Sequence, residues 1–261
     1  MKLFYREFGQ GEPFFILHGL FGMSDNWVTL GRHFARYFHV YLLDLRNHGR
    51  SPHADAFNYE VMVDDIMEFV RDHQLERVHL LGHSMGGKVG MLFALEYAQY
   101  VKDLIVVDIA PRAYRHSHFR QFLKLLLNMD LSKLRSRIES DRYLAAKIPQ
   151  TPIRQFLLKN LRRNEQNGFE WKINLPALYQ NVDRILAGIH SEKTFPGPVL
   201  FLKGEKSDYI GQNDILQIKK LFPKARIVTV PSASHWVHAE APDFLLNSVL
   251  EFASKKSGVT E

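Results

Sequence analysis

Residues Val78–Met91 read VHLLGHSMGGKVGM. An apolar run stops at Gly-His-Ser-Met-Gly-Gly, and apolar residues then resume at helical spacing. A strand that turns at once into a helix, with a serine between two glycines at the junction, fits the G-x-S-x-G nucleophile elbow. Gly82 and Gly86 remove the side chains that would collide in so tight a turn. The helix that follows points its N-terminus at the serine, which favours developing negative charge. Ser84 is therefore the candidate nucleophile, and the rest of the chain must supply what makes a weakly nucleophilic hydroxyl react.

Outward from the elbow, short β-rich runs alternate with helical patterns. The runs Leu3–Phe8, Pro13–Leu17, Val40–Asp44, Val78–Leu81, Leu104–Val107, Val199–Lys203 and Ile227–Val230 read as strands. Several are almost continuously apolar, as expected of strands buried on both faces of a parallel sheet. Helical patterns cover Tyr59–His73, Gly86–Tyr97, Asp214–Leu221 and Pro242–Ala253. The alternation predicts an α/β fold with crossover helices.

The rhythm breaks between Pro111 and Pro198, where no convincing strand is found. Phe119, Phe122, Leu123, Leu126 and Leu127 follow helical spacing, Thr151-Pro152 opens a further helix, and Asn174-Leu175-Pro176 opens another. The expected organisation is a core made of 1–110 and 199–261, with a helical cap, 111–198, inserted between two of its strands. The tail Ser254–Glu261 is polar and reads as a frayed end.

Composition narrows the class. The chain of 261 residues has no cysteine, which excludes disulfides and thiolate metal sites. No apolar run reaches the ~20 residues that span a bilayer, and charges interrupt the N-terminal stretch MKLFYREFGQGEP, so a cytoplasmic protein without a membrane span is expected. Of the net charge of +6, the excess lies in one place: residues 112–193 hold 16 Lys/Arg against 7 Asp/Glu, and the remainder 18 against 21. A solvated helical face is the plain reading, and attraction of an anionic substrate such as an acyl-coenzyme A thioester the sharper one. No nucleic-acid motif, P-loop, G-x-G-x-x-G after a strand or zinc spacing accompanies it, so neither nucleic acid nor a cofactor or metal is expected.

A serine nucleophile needs a base. His235, in PSASHWVHAEAP, follows the last strand and precedes the last helix, where a loop can swing an imidazole over the elbow; His238 is its rival. The base needs an orienting acid, and both Asp108 in VVDIAP and Asp208 in GEKSDYI keep the order Ser…Asp…His. Topology alone favours Asp208, which follows the next-to-last strand. FILHGLFG, residues 15–22, ends a strand in His-Gly, so the backbone N–H of Leu20, with that of Met85, is the candidate oxyanion hole. His18 reads as a residue that fixes this loop by hydrogen bonds, and Asp44 and Arg46 as ties between loops. Phe119, Phe122, Leu126 and Trp171 are the candidate liners of an acyl pocket under the cap.

Taken together, HGLFGMSDNW, DLRNHGRSPH, GHSMGGK, VVDIAP and SHWVHAEAP resemble the α/β-hydrolase superfamily, and most closely its YbfF-type esterases and abhydrolase-domain relatives. The resemblance implies a mostly parallel eight-stranded sheet flanked by helices, with a helical cap after the sixth strand. It implies a serine esterase that cuts acyl esters or thioesters without a cofactor. It also moves the triad acid to Asp108, because D-I-A-P looks like the place where this subgroup carries its aspartate. A C–C bond hydrolase, a lactonase or a perhydrolase could use the same triad, and a slow-turnover ligand receptor could use the same scaffold.

Overall fold

A computed structural model describes residues 1–115 and 117–254 of the chain, so most of the stretch read as a frayed tail lies outside the described residues. The core is built, in chain order, from β1 (Tyr5–Phe8), β2 (Pro13–Leu17), α1 (Val28–Phe34), β3 (His39–Leu43), α2 (Tyr59–Asp72), β4 (Val78–His83), α3 (Met85–Glu96) and β5 (Val101–Val107). The segment that follows carries α4 (Ser117–Leu127), α5 (Arg137–Ala145), α6 (Thr151–Leu158), β6 (Leu161–Arg163), β7 (Phe169–Trp171) and α7 (Leu175–Leu186). The chain then returns through β8 (Val199–Gly204), α8 (Asp214–Leu221), β9 (Ala225–Val230), α9 (Val237–Glu240) and α10 (Pro242–Ser254).

One sheet has the order β1-β3-β2-β4-β5-β8-β9, with β1 antiparallel to β3 and every other pair parallel. Side chains alternate across it, and the alternation sorts the core into two layers. On β2, Phe14 and Ile16 join Leu30 and Phe34 of α1 and Leu245 and Val249 of α10. Phe15 and Leu17 face the other way, towards Met62, Ile66 and Phe69 of α2 and Val89 of α3. Each such ring or branched chain taken fully out of water contributes about 1.5–3 kcal/mol. The central strands are covered on both faces and read as apolar runs rather than as an alternating pattern, whereas β1 and β9 at the edges are partly exposed.

Three expectations need correction. The sheet has seven strands among the described residues, not eight, and the insertion follows its fifth strand rather than its sixth. A single strand, β1, precedes β2, so the seven runs found in the sequence account for the whole sheet. Nor is the inserted segment purely helical, since β6 and β7 form an antiparallel hairpin pairing Leu161 with Trp171. Its turn has Asn167 at φ 63°, followed by Gly168, whose N–H donates to the Asn164 side chain at 2.8 Å. Asn-Gly is the strongest short hairpin signal, and the brevity of the flanking strands, three residues each, hides it.

The insert leaves and rejoins the core at one point. The N–H of Ile189 donates to the carbonyl of Pro111 at 2.7 Å, and that of Tyr114 to Leu186 at 2.8 Å. Asn174, which caps α7 through its side chain, also donates from Nδ2 to Asn47 Oδ1, which ties the insert to a core loop. Parallel strands bring the ends of β2, β4, β5, β8 and β9 to one edge of the sheet, where open α/β sheets bind their ligands. No described helix is long and apolar enough to cross a membrane.

Candidate active site

At the end of β4 the chain turns through Ser84 with φ 53° and ψ −118°, a conformation that costs a non-glycine residue about 1–3 kcal/mol. Two close approaches enforce it. A Cβ on Gly82 would lie 2.2 Å from the Gly86 carbonyl oxygen, and a Cβ on Gly86 would lie 2.4 Å from that of Leu17. The elbow is thus held by the backbones of α3 and β2, and Ser84 stands at the N-terminus of α3 on the wall of a cavity.

His235, past the end of β9, sits on the same wall, and its Nδ1 lies 2.8 Å from Asp108 Oδ2. Asp108 follows β5 with φ 51° and is fully buried. Its carboxylate also accepts the Gly204 N–H at 2.9 Å and the Ser207 hydroxyl. Asp208, the other candidate acid, also lies on the cavity wall; its backbone carbonyl accepts from Arg112 at 3.1 Å. The elbow's own histidine, His83, is kept well below the ordinary histidine value by burial and by neighbouring His235 and His238. Neutral at Nδ1, it donates from Nε2 to the carbonyl of His235 at 2.9 Å.

The loop after β2 passes directly over the elbow, for a Cβ on Gly19 would come within 3.2 Å of Ser84 Cβ. Leu20, the next residue, lines the same cavity as Ser84, and Met85 is the first residue of α3. Two buried histidines pin this loop. His18 accepts the Leu45 N–H at Nε2 (3.0 Å) and donates from Nδ1 to Gly19 O (2.8 Å). His48 accepts the Phe21 N–H at Nε2 (3.3 Å) and donates from Nδ1 to Arg46 O (3.0 Å). Both arrangements need a neutral ring. Burial lowers His18 to about 4, and burial together with the neighbouring His18 lowers His48 to about 3. Asp44 accepts from the Ser24 and Arg50 N–H groups, and Arg46 grips Asp65 with two bonds of 2.6 and 2.7 Å.

The cavity measures about 640 Å³. Phe119 and Phe122 line it, joined by Ile153, Phe156 and Leu157 of α6. Leu126 and Trp171 do not line it, and these two assignments are corrected. Leu126 is fully buried on the face of α4 that packs into the core, and Trp171 of the β6–β7 hairpin lines a separate groove with Leu127 and Pro176. The sequence reading also passed over Trp27, Trp236 and Tyr209, all on the cavity wall. Only tertiary structure brings them there, although Trp236 stands next to His235. His238, the rival base, stacks on Trp27 at 4.5 Å and is lowered to about 4 by burial and by His235. Of the basic residues concentrated in the insert, Arg120, Arg154 and Arg162 are in ion pairs, and Lys147 is the one lysine or arginine on the cavity wall among the described residues.

Comparison with known proteins bears on the fold and the family. The sequence profile of the α/β hydrolase fold matches residues 12–242. A solved marine microorganism esterase is 44% identical and superposes with a TM-score of 0.94, covering 97% of this chain and 99% of its own. The sn-1-specific diacylglycerol lipase ABHD11 of Danio rerio is 35% identical over 94% of this chain and 79% of its own length. Esterase YbfF of Escherichia coli K12 is 29% identical over 92% of both chains. An elbow, a cavity and a mostly parallel sheet of this order therefore come with matching relatives along nearly the whole length, and the chain belongs to the α/β-hydrolase fold family, alongside the YbfF-type esterases and abhydrolase-domain proteins.

Proposed function

We propose that this esterase/lipase-type hydrolase cleaves acyl esters or thioesters through an acyl-enzyme on Ser84, with His235 as base and Asp108 as the acid that orients it. Residues 111–198 act in this reading as a cap over a core made of 1–110 and 199–261. The single observation that carries the reading is the 2.8 Å contact from His235 Nδ1 to Asp108, made beside a strained serine on the wall of the same cavity. With Nδ1 bound to the carboxylate, Nε2 is the atom left to take the serine proton.

Ser84 Oγ attacks the acyl carbonyl and passes its proton to His235. Asp108 stabilises the imidazolium that forms. The N–H groups of Leu20 and Met85 donate hydrogen bonds to the developing oxyanion, each worth ~10² or more in rate. The alcohol or thiol departs with the proton from His235, and a water activated by the same imidazole releases the acid. The apolar wall of Phe119, Phe122, Ile153 and Phe156 suits the acyl chain. That relatives carry the names esterase and lipase supports an ester as the substrate.

The test is hydrolysis of p-nitrophenyl esters from acetate to palmitate by the wild type and by Ser84→Ala, with labelling by a fluorophosphonate. Turnover and labelling that both vanish in the variant support the reading. An inert wild type, or a variant of equal rate, overturns it.

A further inference from the structure

The loop after β8 reads GEKSDYIG, and its contribution to the site comes from the residues on either side of Asp208. Ser207 donates to Asp108 Oδ2. Tyr209 lays its ring flat on the His235 imidazole, with centroids 3.8 Å apart and planes 15° from parallel. An imidazole held only through Nδ1 can still rock about that hydrogen bond. A ring face at van der Waals distance removes the motion and aims Nε2. Tyr209 is itself buried.

The same loop is fastened to the hinge of the insert. The Tyr114 hydroxyl donates to the Tyr209 carbonyl at 2.6 Å and accepts the Ala110 N–H at 2.7 Å, so one oxygen joins the turn after Asp108 to the loop that stacks on His235. The Tyr114 N–H meets Leu186, where the chain comes back out of the insert. Arg112 covers the Tyr114 ring at 4.1 Å and donates to the Asp208 carbonyl. Beneath them Lys88 of α3 donates to Ala187 O and faces the same ring at 4.8 Å.

We propose that Tyr209 is a positioning residue for His235, and that Tyr114 couples it to the hinge, so that the base is correctly aimed only while the two crossings of the insert are closed on the core. This rests on His235 acting as the base. A misplacement of even ~1 Å in a reacting group can cost ~10² in rate, so a rocking imidazole has a measurable signature.

The experiment compares Tyr209→Leu, Tyr209→Phe and Tyr114→Phe, using p-nitrophenyl butyrate turnover, fluorophosphonate labelling rate and thermal unfolding. Tyr209→Leu is expected to lower kcat and the labelling rate about tenfold, and the phenylalanine variant to recover most of that loss, because the flat face is what acts. Tyr114→Phe keeps the ring and loses the hydroxyl; it is expected to lower kcat about three- to fivefold with KM within about twofold. A folded Tyr209→Leu with unchanged kcat, a phenylalanine that recovers nothing, or an effect on KM alone overturns the proposal. Should Tyr209→Leu fail to fold, an unchanged kcat in Tyr114→Phe overturns it and a lowered one supports it. The base assignment fails separately: His235→Gln at wild-type rate would remove it whatever the tyrosines do.

Discussion

Asp108 Oδ2 and His235 Nδ1 stand 2.8 Å apart across 127 residues of chain, at the ends of two different strands. The carboxylate is fully buried and takes two further donors, Gly204 N–H and Ser207 Oγ, so its position is over-determined. Replacing Asp108 with Asn keeps the shape and presents the wrong hydrogen-bonding partner to Nδ1. The expected loss in kcat is ~10³–10⁴. Asp208→Asn is expected to lower kcat by no more than about threefold, since its backbone rather than its carboxylate is what Arg112 holds. Equal losses in steady-state p-nitrophenyl ester assays of the two variants would reverse the choice of acid.

Acid should destabilise the fold through the histidines that pin the loop after β2. The unfolded chain protonates its histidines near about 6.5, whereas the folded one holds His18 down to about 4 and His48 to about 3. Between those values the unfolded state binds more protons, so stability rises with pH there and is lost as pH falls. The melting temperature is expected to drop as pH is lowered from about 6.5 towards 4, with the full contribution present only above that window. His48→Gln keeps an acceptor for the Phe21 N–H but has no proton to gain, so its melting temperature should depend less steeply on pH. Identical slopes would rule out His48 as a contributor.

The elbow tolerates no added atom at Gly86. Its missing Cβ is replaced by Leu17 and His18 carbonyl oxygens at 2.4 and 2.6 Å, both backbone atoms that cannot swing aside. Gly86→Ala is expected to cost about 1–3 kcal/mol or more by denaturant unfolding and to disable fluorophosphonate labelling of Ser84. A variant of normal stability and labelling rate would show that β2 and α3 can part without disturbing the serine.

Two apolar residues one turn apart on α4 should behave differently. Phe122 lines the cavity, whereas Leu126 is enclosed in the core. Phe122→Ala is expected to shift the preferred acyl chain of a p-nitrophenyl series to greater length. Leu126→Ala is expected to leave that preference alone and to cost about 2–5 kcal/mol in stability. A chain-length shift in the Leu126 variant would return that residue to the binding surface.

The difference between those two residues marks where sequence reading stops. Strands buried on both faces announce themselves as apolar runs, as Pro13–Leu17 does, and the more exposed edge strands β1 and β9 were legible beside them. The elbow was legible because its glycines answer a local backbone demand. The α4 stripe was legible as a stripe, but which of its members faces a cavity depends on what packs opposite, and spacing holds no record of that. Trp171 was misplaced for a related reason: it belongs to a hairpin whose three-residue strands are too short to show a period. In GEKSDYIG the charged residue drew notice, while Ser207 and Tyr209, which hold Asp108 and His235, carry no signal until the loop is seen against the histidine.

The hydrogen bond from Ile189 to Pro111 closes the insert at its base. Beyond that crossing the insert is fastened to the core again, by Asn174 to Asn47 and by Asn160 Nδ2 to the carbonyl of Phe21 in the loop after β2. A change in the length or packing of the insert therefore reaches the rim of the cavity by two routes, and not only through the place where the chain crosses.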